Sequence, residues 1–390
     1  MDVTARQYAE LHRAAYIAGL RGALVDWGSH TEFARAAGLA RGYLQYLLQP
    51  TNVRNPSQES AAAIVRLLQL DRLQKLDLVE HMELAAERRV RQWQQAQQGA
   101  SAGEFPLEHA RAIWATAMYG ADPAMAREAY DDLVAILEPA LWPQARRVSS
   151  LDRVEACLIL HDVLCTVDRP TRALYYAKLA QTMLGHLDNT TRRRAFERWD
   201  HLRVNAAYAA VVSFTNLRLP DAARTEIAGA ERWRTSSPAW QTWQPHFERS
   251  QLANFGLKGR FGLYDAEAAV YRAHDAVREA TESLRPQFAL LIDKEYALAL
   301  SRYGSPRSAR NGYRYLLPQV ERMQAMEQLG PLRQTVVHAA MAAVCQSAGR
   351  SDEALHHAIV TDDLATRAGL LHQQRRIRQA FPDLVASDGL

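Results

Sequence analysis

Residues 29–49 read SHTEFARAAGLARGYLQYLLQ, a spacing that spells two short helices meeting at a corner. Ser29 followed three positions later by Glu32 forms a capping box, which starts a helix by satisfying free backbone N–H groups. Phe33, Ala34 and Ala37 fall on one face of that helix. Gly38 ends it, because the position just past a helix C-cap usually needs positive φ, which glycine reaches without a steric penalty. Leu39 fills the corner. A second helix follows from about Ala40, with Leu44, Leu47 and Leu48 turned inward and Arg41, Tyr43, Gln45, Tyr46 and Gln49 turned outward.

Alanine four residues before glycine, a hydrophobe directly after it and hydrophobes six and nine residues later make a helix-turn-helix pattern. Ala34, Gly38, Leu39, Leu44 and Leu47 occupy those slots. Over about residues 20–70 the sequence resembles the Cro/C1 (XRE)-type repressor DNA-binding domain, including the polar loop PTNVRNPS at residues 50–57. The resemblance implies a five-helix domain over residues 1–91. Its remaining helices are expected at about Ala5–Trp27, Gln58–Leu70 and Asp71–Arg91. It also implies that the second short helix reads base edges of double-stranded DNA. Arg41 suits guanine and Gln45 suits adenine, each through paired hydrogen bonds. Tyr43 and Tyr46 are candidates for a thymine methyl or a phosphate, and Gln49 completes the outward face. His30 and Thr31, at the start of the first short helix, are phosphate candidates because helix N-termini offer free N–H groups. Arg54 and Asn55 lie in the loop that such domains hold near the DNA backbone. His30 stands where this family usually has glutamine, and Gly42 weakens the reading helix by about 1 kcal/mol relative to alanine.

Further along, residues 92–104 (QWQQAQQGASAGE) lack an apolar stripe and read as a linker. Beyond it a signal recurs: a turn residue followed three positions later by alanine. It occurs at Pro123/Ala126, Pro170/Ala173, Pro220/Ala223, Asp265/Ala268, Pro306/Ala309 and Ser351/Ala354. Proline is tolerated in a first helical turn because that N–H has no intrahelical partner. The alanine one turn later lets a neighbouring helix approach closely. Each start is preceded by another helix-periodic segment, at 107–120, 153–167, 196–217, 246–259, 287–303 and 332–348. The unit is a helical hairpin of about 45 residues, and six of them span residues 105–390. The series resembles tetratricopeptide (TPR) repeats with lengthened helices, which implies a right-handed superhelix with a concave face.

Period-2 alternation and hairpin-turn signals are absent, so the fold class is all-α. The chain has 390 residues, 23% of them charged, and a formal net charge of +4. Arginine supplies 43 of the 47 basic residues, since only Lys75, Lys178, Lys258 and Lys294 are lysine. Residues 1–70 carry seven arginines against five acidic residues, a mild excess that permits a polyanion without demanding one. Three cysteines, Cys157, Cys165 and Cys345, show neither a disulfide framework nor a metal spacing. Cys157 and Cys165 share one helix face, as core residues do. No apolar run is long enough to cross a bilayer, and the start MDVTARQYAELHR is polar, so a cytoplasmic location is expected. Walker-type loops, His-Glu-x-x-His and Cys-x-x-Cys are missing. The glycines between Gly256 and Gly262 read as a turn, Trp233, Trp240 and Trp243 as packing, and His356-His357 as part of a polar helix face. No enzyme, cofactor or metal is expected.

A DNA reader joined to helical repeats resembles the RRNPP peptide-sensing regulators, the group with Rap-like, PlcR-like and PrgX-like proteins. That resemblance implies transcription regulation, quorum sensing by a short signalling peptide on the concave face, and a homodimer. Asparagine amides suit peptide backbone because each offers donor and acceptor. Candidates on the first helix of each hairpin are Asn205 and Asn254, with Asp162, Tyr208, Arg249, Tyr296 and His338 beside them. The alternative is a non-DNA-binding repeat scaffold for protein partners.

Overall fold

A computed structural model describes residues 3–49, 55–96, 105–120, 122–141, 149–233, 236–237, 285–303, 305–323, 326 and 329–386. Helices are its regular elements, with no strand among the described residues, in line with the all-α expectation. They are α1 (Ala5–Ala23), α2 (His30–Ala36), α3 (Arg41–Leu47), α4 (Gln58–Leu67), α5 (Arg72–Leu84) and α6 (Glu87–Ala96). Then follow α7 (Leu107–Tyr119), α8 (Pro123–Ala140), α9 (Ser150–Thr166), α10 (Pro170–His186), α11 (Asn189–Arg194), α12 (Phe196–Asn216) and α13 (Pro220–Glu231). After residue 284 come helices Arg285–Tyr303, Pro306–Met323, Pro331–Ser347, Ser351–Ala368, Leu371–Ala380 and Asp383–Ala386. No helix among the described residues is long and apolar enough to cross a membrane.

Among the described residues the N-terminal part has six helices where five are expected. The helix expected over Asp71–Arg91 breaks at Ala85, whose carbonyl accepts a hydrogen bond from Arg13 Nη2 of α1 (3.0 Å). Ala85 is itself fully buried, so α1 holds the break in place. Of residues 92–104, those up to Ala96 continue α6, and the others lie outside the described residues.

Helices begin at Pro123, Pro170, Pro220, Pro306 and Ser351, five of the six expected starts; Asp265 lies outside the described residues, as does 246–259. Ala126, Ala173, Ala223, Ala309 and Ala354 are all buried, as close helix approach requires. The turns before Pro170 and Pro220 share one construction. Before Pro170 the chain passes through Asp168 at φ 62, and before Pro220 through Arg218 at φ 60. In each, two hydrogen bonds close the end of the preceding helix: Arg169 N to Leu164 O (2.8 Å) with Asp168 N to Cys165 O (3.4 Å), and Leu219 N to Phe214 O (2.8 Å) with Arg218 N to Thr215 O (2.9 Å). This is the Schellman arrangement, which satisfies the last carbonyls of a helix. A left-handed backbone costs a non-glycine residue about 1 kcal/mol.

Contacts divide the chain into two compact units, residues 1–107 with 136–232, and residues 108–135 with 233–390. The first unit groups the N-terminal helices with α9–α13. Its central packing is α9 against α10, α10 against α12 and α12 against α13, with α1 lying on both α5 and α10. The second unit has a core built on Leu290, Ile292, Leu316, Val337, Met341 and Val344. In it, helix Pro331–Ser347 packs on Ser351–Ala368 and on both preceding helices.

Within the first unit, α1 and α5 are fastened to the hairpin turns. The amide of Gln74 completes the capping box at Asp71 through Oε1 and donates through Nε2 to both the carbonyl and Oδ2 of Asp168 (2.9 Å each). Arg218 pairs with Asp26 at 2.6 and 2.8 Å. Gly22 of α1 lies so close to α12 that a Cβ there would run into the Leu217 carbonyl oxygen. The two left-handed turn residues thus each carry a bond to the N-terminal part, Asp168 to α5 and Arg218 to the segment after α1.

Candidate nucleic-acid interface

The corner at residues 29–49 forms as two short helices. Ser29 caps α2, but its Oγ accepts from Thr31 N (3.2 Å) rather than from Glu32, so the expected reciprocal box is replaced by a single bond. Gly38 stands at φ 68, with Gly38 N bonded to Arg35 O (3.0 Å) and Leu39 N to Ala34 O (2.8 Å). These close a Schellman turn. A Cβ at Gly38 would meet nothing within 4 Å, so only the backbone demands glycine there. Gly38→Ala is therefore expected to lower stability by about 1 kcal/mol, the cost of a left-handed alanine, in urea unfolding. A loss several times larger would show that packing around Gly38, not its backbone alone, holds the corner.

Phe33, Ala34, Leu44 and Leu47 are fully buried in a core shared with Tyr16, Leu20, Ile64 and Leu78. The far end of α3 is tied down by Arg21 Nη2, which donates to Leu48 O (2.6 Å). No such bond ties the near end, because Ala40 offers no capping side chain.

Of the expected DNA contacts, His30, Gln45 and Gln49 are exposed. Thr31 is half-buried and its N–H is spent on Ser29, so it is not a free donor. Tyr43 is half-buried against the N-terminal core, and Tyr46 is half-buried beside it in sequence. Asn55 is half-buried, and its Oδ1 has no partner among the described residues. Arg54 and the side chain of Arg41 lie outside the described residues. Gln45 thus makes the outward face of α3 polar, Gln49 is exposed just beyond its C-cap, and α3 contains no acidic residue.

The residues expected to meet a peptide are not all exposed. Asn205 is half-buried on α12, whereas Tyr208, one turn on, is buried. Both belong to the first unit, Tyr296 and His338 to the second. Asp162 is exposed and bonded to His161. Tyr296 packs edge-on against Tyr315 (5.1 Å between ring centres), whose hydroxyl donates to Asp293 (2.5 Å). His338 is buried with Nδ1 3.0 Å from that of His357, and burial lowers its pKa to about 4. The neighbouring histidines thus divide: His356 is exposed and His357 is buried rather than on a polar face. Arg249, Asn254, Trp240 and Trp243 lie outside the described residues, as does the glycine-rich turn at 256–262.

Sequence reasoning missed the polar stripe Gln74, Asp77 and His81 on α5, all buried. Asp77 meets Arg169 and Arg172 from α10. His81 lies with Nδ1 2.8 Å from Nδ1 of His12, and Tyr175 stacks on His12 at 4.2 Å. The i, i+3, i+7 spacing was the available signal, since it lines polar residues along the face that an amphipathic helix buries. No family model, curated protein or solved structure matches the chain.

Proposed function

We propose that this chain is a sequence-specific DNA-binding transcription regulator, with a Cro/C1-like helix-turn-helix at its N-terminus and TPR-like repeats arranged as a right-handed superhelix. The observation that carries the reading is the corner itself: a left-handed Gly38, an apolar inner face, and a second short helix that exposes Gln45, contains no acid and is followed by exposed Gln49. An exposed glutamine on such a helix offers the donor and acceptor that adenine presents in the major groove. A homodimer fits this role, because paired half-sites supply the surface that one such module lacks.

The repeats serve as the sensing part, with a short peptide as the ligand class. Docking of α1 and α5 on the α9–α13 hairpins supplies the route. A ligand that favours one arrangement of the hairpins would shift the population of DNA-competent dimers, by its differential affinity and no more. These roles would place the protein in the cytoplasm, beside DNA.

The test begins with duplexes selected from a randomised pool by the full chain. Binding should weaken steeply with salt, since each phosphate contact releases counterions. Gln45→Ala and Arg41→Ala should each cost about 1–2 kcal/mol on the selected duplex and relax its sequence preference. Weak binding with a flat salt response, unchanged in both variants, would reject the regulator and leave the protein-binding scaffold.

A further inference from the structure

We propose that Cys165 is a hydroperoxide-reactive thiol, activated by His161 and Asp162 at the end of α9. His161 is buried, and its Nε2 lies 3.5 Å from Cys165 Sγ and 3.1 Å from Ser213 Oγ of α12. Its Nδ1 lies 2.9 Å from Asp162 Oδ1. The i, i+4 spacing stacks Cys165 one turn beyond His161 on the same face. A nucleophile, a base within hydrogen-bond reach and a third group orienting the base make the arrangement that activates weak nucleophiles.

Which way the shared proton lies follows from the surroundings of the imidazole. Burial alone would lower the pKa of His161, but the Cys165 sulfur and the Asp162 carboxylate more than reverse this and raise it to about 10. From α12 the imidazole meets only the uncharged Ser213, and no charged side chain of α10 or α12 is hydrogen-bonded to it. Asp162 holds the far nitrogen of the ring, so Nε2 is the atom that faces the Cys165 sulfur and exchanges a proton with it.

Access separates this cysteine from the other two. Cys165 is half-buried. Cys157 and Cys345 are buried, and burial pushes their thiols up to about 12 and about 11, so both stay protonated near neutrality.

The chemistry balances without a cofactor. The sulfur of Cys165 attacks one oxygen of a hydroperoxide, forming an S–O bond as the O–O bond breaks. The thiol proton is taken up by His161 Nε2 and passed to the departing oxygen. The sulfur is oxidised by two electrons to a sulfenic acid, the peroxide is reduced to an alcohol or, for hydrogen peroxide, to water, and His161 is left neutral. The product sits next to a joint already described. The Cys165 carbonyl accepts from Asp168 N (3.4 Å), and Asp168 is the residue that Gln74 of α5 grips. Oxidation at Cys165 thus adds bulk beside the turn to which α5 is fastened.

The experiment treats the full chain with hydrogen peroxide and dimedone at pH 7 and maps the adducts by peptide mass spectrometry. Labelling is expected at Cys165 and to be at least about tenfold slower at Cys157 and Cys345. His161→Gln should slow Cys165 labelling by about tenfold, because an unassisted thiol is only a few per cent thiolate at pH 7. Asp162→Asn, at an exposed position that folding tolerates, should slow it severalfold. At pH 10, where an ordinary thiol is ionised, iodoacetamide should alkylate Cys165 equally fast in wild type and both variants. Equal dimedone labelling of all three proteins at pH 7 would overturn the proposal. So would variants that stay slow at pH 10, since they would have lost access rather than proton transfer.

Discussion

Asp77→Ala is expected to lower the unfolding free energy by about 3–4 kcal/mol, the cost of stripping one partner from a buried ion pair. Asp77 is 1% exposed. Its carboxylate accepts from Arg169 Nε (2.8 Å) and Nη2 and from Arg172 Nη1 (3.2 Å). Arg169 caps α10 and Arg172 lies in its first turn, so both place positive charge at the positive end of a helix dipole. Without the α5 carboxylate that placement is unfavourable. Arg172 also reaches Glu138 (2.8 Å), and Glu138 accepts from the Tyr176 hydroxyl (3.2 Å). Arg169 shows no such second carboxylate among the described residues, and its half-buried guanidinium is the group Asp77→Ala leaves unpaired. Glu80 supplies the contrast. Its side chain is 48% exposed and 3.3 Å from Arg172, so Glu80→Ala should change stability by less than about 0.5 kcal/mol. Urea unfolding of the full chain measures both. If the two variants lose similar amounts, the network is a solvated surface cluster and does not fasten α5 to α10.

The corner and the hairpin starts were legible because each rests on local chemistry. Gly38 must supply positive φ, Pro170 and Pro220 suit a first turn, and Ala173 and Ala223 must be small; a single residue type betrays each requirement. The break of α5 from α6 at Ala85 was not legible, since it is enforced by Arg13, 72 residues away. The left-handed turns at Asp168 and Arg218 were also hidden. Neither is glycine, and what compensates each lies far off in sequence, at Gln74 and Asp26. The candidate interface divides in the same way. Phe33, Leu44 and Leu47 could be placed inside from periodicity alone, whereas Tyr208 and His338 read as peptide-facing residues and are buried. An aromatic or a histidine fits either side of a helix, and only the neighbouring helix decides. His161 and Cys165 carried a readable i, i+4 spacing, but Ser213 joins them from another helix.

Acid should weaken the first unit more steeply than its carboxylates account for. His12 and His81 share a hydrogen bond between their Nδ1 atoms at 2.8 Å, so one ring must donate and the other accept. Protonating the accepting ring sets two N–H groups against each other, and protonating the donating ring puts the new N–H at a buried Nε2 with no partner among the described residues. Burial lowers the pKa of both; the second ring and Arg172 lower that of His12 further, and Arg172 and Arg169 bring that of His81 to about 3. Unfolded histidine titrates near 6.5, so between that value and about 3 the unfolded chain binds protons that the folded chain refuses. Stability contributed by this pair is complete above pH 6.5 and falls as pH drops. The slope is about 1.4 kcal/mol per pH unit for each histidine, or up to about 5 kcal/mol by pH 4.5. His161 works in the opposite sense. Its raised pKa contributes stability below pH 6.5 that is lost as pH rises through about 10, so it cannot produce the acid loss. The measurement is the urea midpoint at steps from pH 7 to pH 4.5, for wild type and His81→Gln. The amide can still bond His12 but cannot titrate, so the variant should lose stability at pH 7 and show a markedly shallower acid slope. Parallel slopes in the two proteins would place the acid lability in the exposed carboxylates instead and deny the buried pair its role.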